Sequence, residues 1–144
     1  MYKRILVPVD GSNTSNIALD EAIRLAKGQQ AGLRIVHVVD TINLNVDSMA
    51  DIAGTLRESG RKLLREAEAR ARRARVKTET ELLEIQKVSE RISDLVVKKA
   101  ATWRADVIVM GTHGRRGLNR LLLGSVADGV VRVSSIPVLL IRGK

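Results

Sequence analysis

Short runs of β-branched and aliphatic residues alternate along this chain with segments whose apolar positions recur every three or four residues. The runs are Arg4 to Val9, Leu33 to Val39, Val76 to Ile85, Asp106 to Met110 and Pro137 to Ile141. Between them lie helical patterns at about Thr14 to Lys27, Ser48 to Arg75, Ser89 to Trp103 and Ser125 to Val133. Strict alternation of this kind predicts a parallel sheet covered by helices on both faces, because each parallel crossover needs a helix. No linker, internal repeat or low-complexity tract interrupts it, so residues 1–144 read as one α/β domain.

The runs also differ in how deeply they should be buried. Ile5-Leu6-Val7 and Val107-Ile108-Val109-Met110 are continuously apolar, as strands with helices on both faces are. Val76-Lys77-Thr78-Glu79-Thr80-Glu81 alternates with charge and suits an edge. An open five-stranded sheet of order 3-2-1-4-5, Rossmann-like, meets these constraints. It puts the reversal of winding between the first and fourth strands, and ligands of such sheets bind outside the carboxyl ends of the strands at that point. The loops after Val9 and Met110 are therefore where chemistry is expected.

After Met110 the chain runs through Gly111, Gly114, Arg115, Arg116, Gly117, Arg120, Gly124 and Ser125. Glycines let a backbone approach a ligand and adopt positive φ, so that successive amides form an anion nest. Ser125, with Asp128 three residues on, reads as the N-cap of a capping box. The free amides of that first helical turn would suit a phosphate. The loop is neither a Walker A sequence nor a Gly-x-Gly-x-x-Gly fingerprint, and turns and a cap alone would also account for its glycines. Asp10, ending Val7-Pro8-Val9-Asp10-Gly11-Ser12, either caps the turn into the first helix or meets a ribose hydroxyl or a phosphate-bound Mg²⁺.

Composition narrows the choice. The chain of 144 residues is 44% hydrophobic and 28% charged, which is globular, and no apolar run approaches the ~20 residues of a membrane span. Its start does not read as a signal peptide. Cysteine is absent, which excludes disulfides, thiolate catalysis and cysteine-ligated zinc. With 25 Lys and Arg against 16 Asp and Glu the net charge is +9, a weak pointer to phosphate or another acidic partner. Only Tyr2 and Trp103 are aromatic, which argues against stacking on single-stranded nucleic acid. Nine basic and three acidic residues lie between Arg57 and Lys77, in an amphipathic helix pattern with favourable Glu58–Lys62 and Glu66–Arg70 pairs. That helix is either a solvated face or a docking surface.

The chain closely resembles the universal stress proteins, in particular their nucleotide-binding branch. The resemblance rests on Lys3 through Ser12, on His37-Val38-Val39-Asp40, on the Gly-x2-Gly-x9-Gly-Ser spacing of Gly111, Gly114, Gly124 and Ser125, and on Pro137 through Arg142. It implies a fold like that of the adenine nucleotide alpha hydrolases and a bound ATP or other adenine nucleotide with Mg²⁺. It further implies that Pro8, Val9 and Asp10 line the ribose and adenine side and that Val38 meets adenine by its backbone. Met110 and Gly111 would flank the nucleotide, and Gly114, Gly124, Ser125 and Val126 would hold the phosphates. Asp10 would touch the metal only through the nucleotide. Two features depart from the family pattern: Gly129 inside the last helix, at roughly 1 kcal/mol relative to Ala, and the lack of a glycine in Ile85-Gln86-Lys87-Val88.

His37 reads as a core or strand-end histidine, His113 as a hydrogen-bonding loop residue and Trp103 as packing. No Gly-x-Ser-x-Gly elbow supports a Ser-His-Asp hydrolase. The apolar run Pro137 to Ile141 would form a sheet edge, which invites a second copy to pair in a homodimer. The expectation is a cytoplasmic ATP-binding stress or signalling module with no catalytic residue, acting on an unidentified protein partner and not on nucleic acid or membrane. The alternatives are a weak Mg²⁺-dependent ATP-hydrolysing enzyme using Asp10 and His113, or a docking module acting through residues 57–77.

Overall fold

In the computed structural model, which describes residues 1–43, 49–113 and 123–143, the continuously apolar runs form the middle of the sheet. Strands β1 (Arg4–Pro8), β2 (Gly32–Val39), β3 (Thr78–Glu84), β4 (Val107–Gly111) and β5 (Val138–Ile141) alternate with helices α1 (Asn13–Gln29), α2 (Met49–Arg73), α3 (Ile92–Trp103) and α4 (Ser125–Val133). All pairings are parallel and the order is β3-β2-β1-β4-β5, as the pattern predicts.

Side chains alternate across the strands and so divide the core in two. Ile5, Val7, Leu33, Ile35, Val107 and Val109 face α1 and α2, where they meet Leu19, Ala22, Leu64 and Ala71. Leu6, Val36, Ile108 and Met110 face α3 and α4, against Val96, Ala100, Ala127 and Val130. The charges of β3 serve more than edge protection. Glu79 and Glu81 lie 3.1 and 3.6 Å from the Arg34 guanidinium of β2, and Lys99 of α3 reaches Glu81 at 2.9 Å. Trp103, expected only to pack, also places its ring 4.9 Å from that guanidinium.

Element ends differ slightly from the pattern for identifiable reasons. Arg75 adopts left-handed φ of 62°, and Val76 N–H then closes back on the Ala71 carbonyl at 3.1 Å, so Val76 packs as the end of α2 and β3 begins at Thr78. Helix α3 starts at Ile92 because the Asp94 carboxylate accepts the Arg91 N–H at 3.0 Å. The Asp106 carboxylate accepts the N–H groups of Lys3 (2.7 Å) and Arg4 (2.9 Å) and ties the start of β1 to that of β4. Those two bonds hold its carboxyl below the usual range.

Gly129 proves to be a packing position. A Cβ there would lie 2.4 Å from Ser93 Oγ and 2.7 Å from Ser93 Cβ, so the glycine lets α4 lie directly against the first turn of α3. The propensity it sacrifices is offset by that close approach.

Candidate functional site

β1 and β4 are neighbours, with Ile5 beside Val107 and Leu6 beside Ile108, so the chain leaves both strands side by side at the reversal of winding. Where β1 ends, Val9 N–H still donates to the Val36 carbonyl at 2.8 Å, and the Val9 carbonyl accepts from His37 Nδ1 at 2.7 Å. The chain then reverses through Gly11, whose φ of 83° is the one positive glycine value among the described residues. Three further bonds hold this turn. Asp10 Oδ1 accepts the Ser12 N–H (2.9 Å), Ser15 Oγ accepts the Asp10 N–H (3.0 Å), and Ser12 Oγ accepts the Ser15 N–H (3.1 Å) as the N-cap of α1. Asp10 is thus built into the entry to α1 with its carboxylate oriented, which satisfies the capping reading and leaves the ligand reading in place.

On the β4 side, Gly111 presses against Thr14 of α1: a Cβ would lie 2.7 Å from Thr14 Cγ2. Thr112 is buried and central to the exit. Its N–H donates to the Ile141 carbonyl (3.0 Å), its carbonyl accepts the Gly124 N–H (2.7 Å), and its hydroxyl lies 2.9 Å from His113 Nδ1. The chain that leaves at His113 therefore returns onto Thr112 at Gly124. The predicted site residues Pro8, Val9, Asp10, Met110, Gly111, Gly124, Ser125 and Val126 stand at this one end of the sheet, with Val38 one strand away on β2. Gly114, Arg115, Arg116 and Arg120 lie outside the described residues.

The capping of α4 differs from the expectation. Gly124, extended at φ −64° and ψ 161°, is the N-cap and supplies no side-chain hydrogen bond; Ser125 is the first helical residue. Asp128 does not reach back to form a capping box but pairs with Arg132 at 2.9 Å, one turn ahead. With Asp128 turned toward that cation, the first-turn amides of α4 have no side-chain acceptor among the described residues, and Ser125 beside them is exposed. Nor do Gly111 and Gly124 adopt positive φ; the first is there for close contact and the second for an extended cap. A groove of about 590 Å³ between the first turn of α3 and the length of α4 shares Ser125 and Val126 with this end, and Arg91 and Arg132 line its walls.

The basic helix is only partly a free face. Arg57 turns to Glu84, with Nε to Oε1 at 2.7 Å and NH2 to Oε2 at 3.0 Å, and Thr41 adds a third bond at 3.1 Å. The guanidinium holds the Glu84 carboxyl below its usual range. Arg70 pairs with Asp20 of α1, where a partner was expected in Glu66. Glu58 lies 3.8 Å from Arg61 and 3.5 Å from Arg65 in place of Lys62. Near the end of β2, burial pushes the Asp40 carboxyl up, but the amides of Asn43 and Ile42 outweigh it and leave it lowered.

The sequence profile of the universal stress protein family matches residues 1–142. The chain belongs to that family. It is 37% identical to a universal stress protein of Methanocaldococcus jannaschii, over 99% of this chain and 83% of the relative. A solved member of the family from Burkholderia pseudomallei is 35% identical, with a TM-score of 0.81 over 97% of this chain and 96% of its own. A universal stress protein solved in complex with cAMP is 30% identical, with a TM-score of 0.70 over 98% of this chain and 97% of its own. The family thus contains adenine nucleotide binders with this fold. What motif reading missed in this chain is the support: His37 behind Val9, Thr14 against Gly111, and Thr112 at both ends of the loop.

Proposed function

We propose that this universal stress protein binds an adenine nucleotide, ATP foremost, across the reversal point of its sheet. The observation that carries the reading is the start of α4, an anion-favouring helix end without a side-chain cap, set beside the Asp10 turn and the exit of β4. The family member solved with cAMP supports the adenine class. In this reading Pro8, Val9 and the backbone of Val38 take the base and ribose side, Met110 and Gly111 flank it, and Gly114, Gly124, Ser125 and Val126 take the phosphates. Among the described residues no three His, Cys, Asp or Glu side chains cluster for a metal. Mg²⁺ would then be carried by the nucleotide oxygens, with Asp10 as one nearby carboxylate.

The protein is a cytoplasmic binding module in this account, not a committed catalyst; the bound nucleotide sets a surface that a protein partner reads. A second copy pairs along β5, the sheet edge, where Leu139 is 41% exposed and Val131 and Val133 of α4 are also exposed. No helix among the described residues is long and apolar enough to cross a membrane.

The test is to denature freshly purified protein, identify any released nucleotide by mass spectrometry, and titrate ATP with Mg²⁺ into wild type and Gly124→Val. Loss of at least tenfold in affinity is expected in the variant, because a branched side chain at the cap obstructs approach to the amides. Equal affinity in the two proteins would sink the phosphate assignment.

A further inference from the structure

We propose that His37 is a positioning residue for the nucleotide site: its imidazole holds the Val9 carbonyl and so sets the turn that presents Asp10. The effect on binding rests on the nucleotide reading above; the effect on the turn does not.

The β1–β2 ladder runs only to Pro8, opposite Val36, and one more bond joins Val9 N–H to the Val36 carbonyl. Beyond it β1 turns away toward Asp10. The Val9 carbonyl, in a residue only 5% exposed, then needs a donor that no strand supplies, and His37 Nδ1 stands 2.7 Å away. A carbonyl oxygen only accepts, so Nδ1 must carry the proton. Val9 is in this way held at both ends by consecutive residues of β2, by the backbone of Val36 and the side chain of His37. Asp10 follows directly, and its own N–H and carboxylate are committed to Ser15 and Ser12.

The imidazole is itself confined. Gly60 of α2 is buried against it, and a Cβ at that position would lie 2.8 Å from His37 Cδ2 and 3.4 Å from Nε2. The glycine therefore leaves room for the ring in the one place from which it reaches Val9. A methyl group there would also lie 2.8 Å from Leu82 Cδ1, so it crowds the ring and the leucine together, and movement of the ring weakens the hydrogen bond to Val9.

Four measurements test this. In nitrogen-15 spectra of the free protein, the His37 ring should be the Nδ1–H tautomer; an Nε2–H tautomer would overturn the proposal. His37→Leu should shift the amide resonances of Asp10, Gly11 and Ser12 and raise the dissociation constant for ATP about tenfold, or about 1.4 kcal/mol. His37→Asn, whose amide nitrogen stands close to the position of Nδ1, should restore both to within about twofold of wild type. Gly60→Ala should reproduce the His37→Leu shifts and weakened binding at a temperature where circular dichroism shows it folded, which keeps the question decidable if His37→Leu does not fold. Wild-type affinity in folded His37→Leu, or unmoved Asp10 to Ser12 resonances, would refute the role. If wild type binds no adenine nucleotide, the function proposed above fails, and the tautomer and the resonances still decide whether His37 sets the turn.

Discussion

Gly129→Ala is the substitution for which helix propensity and packing predict opposite signs. Propensity alone predicts a gain of about 1 kcal/mol, since Gly is that much worse than Ala inside a helix. The contact predicts a loss. The added carbon would lie 2.4 Å from Ser93 Oγ and 2.7 Å from Ser93 Cβ. A change of rotamer can remove the first clash but not the second, because Cβ is fixed by the backbone of α3. The two helices must then separate by about 1 Å along a face that buries Val96, Ala100 and Val130, and overpacking of this kind costs about 1–3 kcal/mol. With the contact at the upper end of that range, the net is a destabilisation of about 1–2 kcal/mol. Urea unfolding followed by circular dichroism measures it. Ser93→Gly in the Gly129→Ala background removes both clashing atoms and should recover most of the loss, a coupling that a propensity effect cannot produce. A Gly129→Ala protein as stable as wild type or more so would refute the packing argument.

Other predictions follow from single contacts. Asp106→Ala should cost about 1 kcal/mol near neutral pH, by loss of two hydrogen bonds to an exposed carboxylate. Because the folded carboxyl is held below its usual range, this contribution is full above the ordinary carboxylate pKa and disappears as pH falls through the lower folded value. Urea melts of wild type and variant should therefore converge in strong acid, and a difference independent of pH would contradict the assignment. Leu139→Lys, on the exposed edge strand, should convert a dimer into monomer at micromolar concentration in sedimentation; a wild type that is already monomeric would remove the β5 pairing.

Strand order was legible because burial leaves its mark on composition. β1 and β4 carry no polar residue at positions such as Leu6 and Ile108, which are closed on both faces, whereas β3 can carry Glu79 and Glu81 because it is an edge. Helix ends were less legible. Gln30, Arg75 and Arg104 end α1, α2 and α3 in left-handed conformations at φ of 56°, 62° and 62°, positions that usually announce themselves as glycine. Here the hydrogen bonds that follow, such as Ala31 N–H to the Ala26 carbonyl at 2.9 Å and Ala105 N–H to the Ala100 carbonyl at 2.8 Å, hold residues that carry a side-chain cost. Ion pairs followed the fold more than the helix period. Arg70 left its expected neighbour Glu66 for Asp20, and Arg57 pairs with Glu84; both partners lie far away in sequence.

The same contrast runs through the site. Its glycines were visible as spacing, but spacing does not say what each is for. Among the described residues Gly11 alone of the glycines uses the positive φ that glycine adopts easily; Gly111 makes room for Thr14, and Gly124 forms a cap without a side chain. That last role bears most on function. A Ser or Asp at position 124 would cap the helix and satisfy its first amides internally, at a gain of a few tenths of a kcal/mol over Gly. Glycine forgoes this, and under the proposed function those amides are the ones that meet the phosphates. Ser125, one residue on, then adds a hydroxyl where it cannot act as the cap. Asp128, whose charge would oppose an anion there, is drawn one turn away by Arg132. Each of the three residues is unremarkable for helix stability alone, and together they give this helix end, uncapped by a side chain at Gly124, the geometry on which the proposed phosphate site rests.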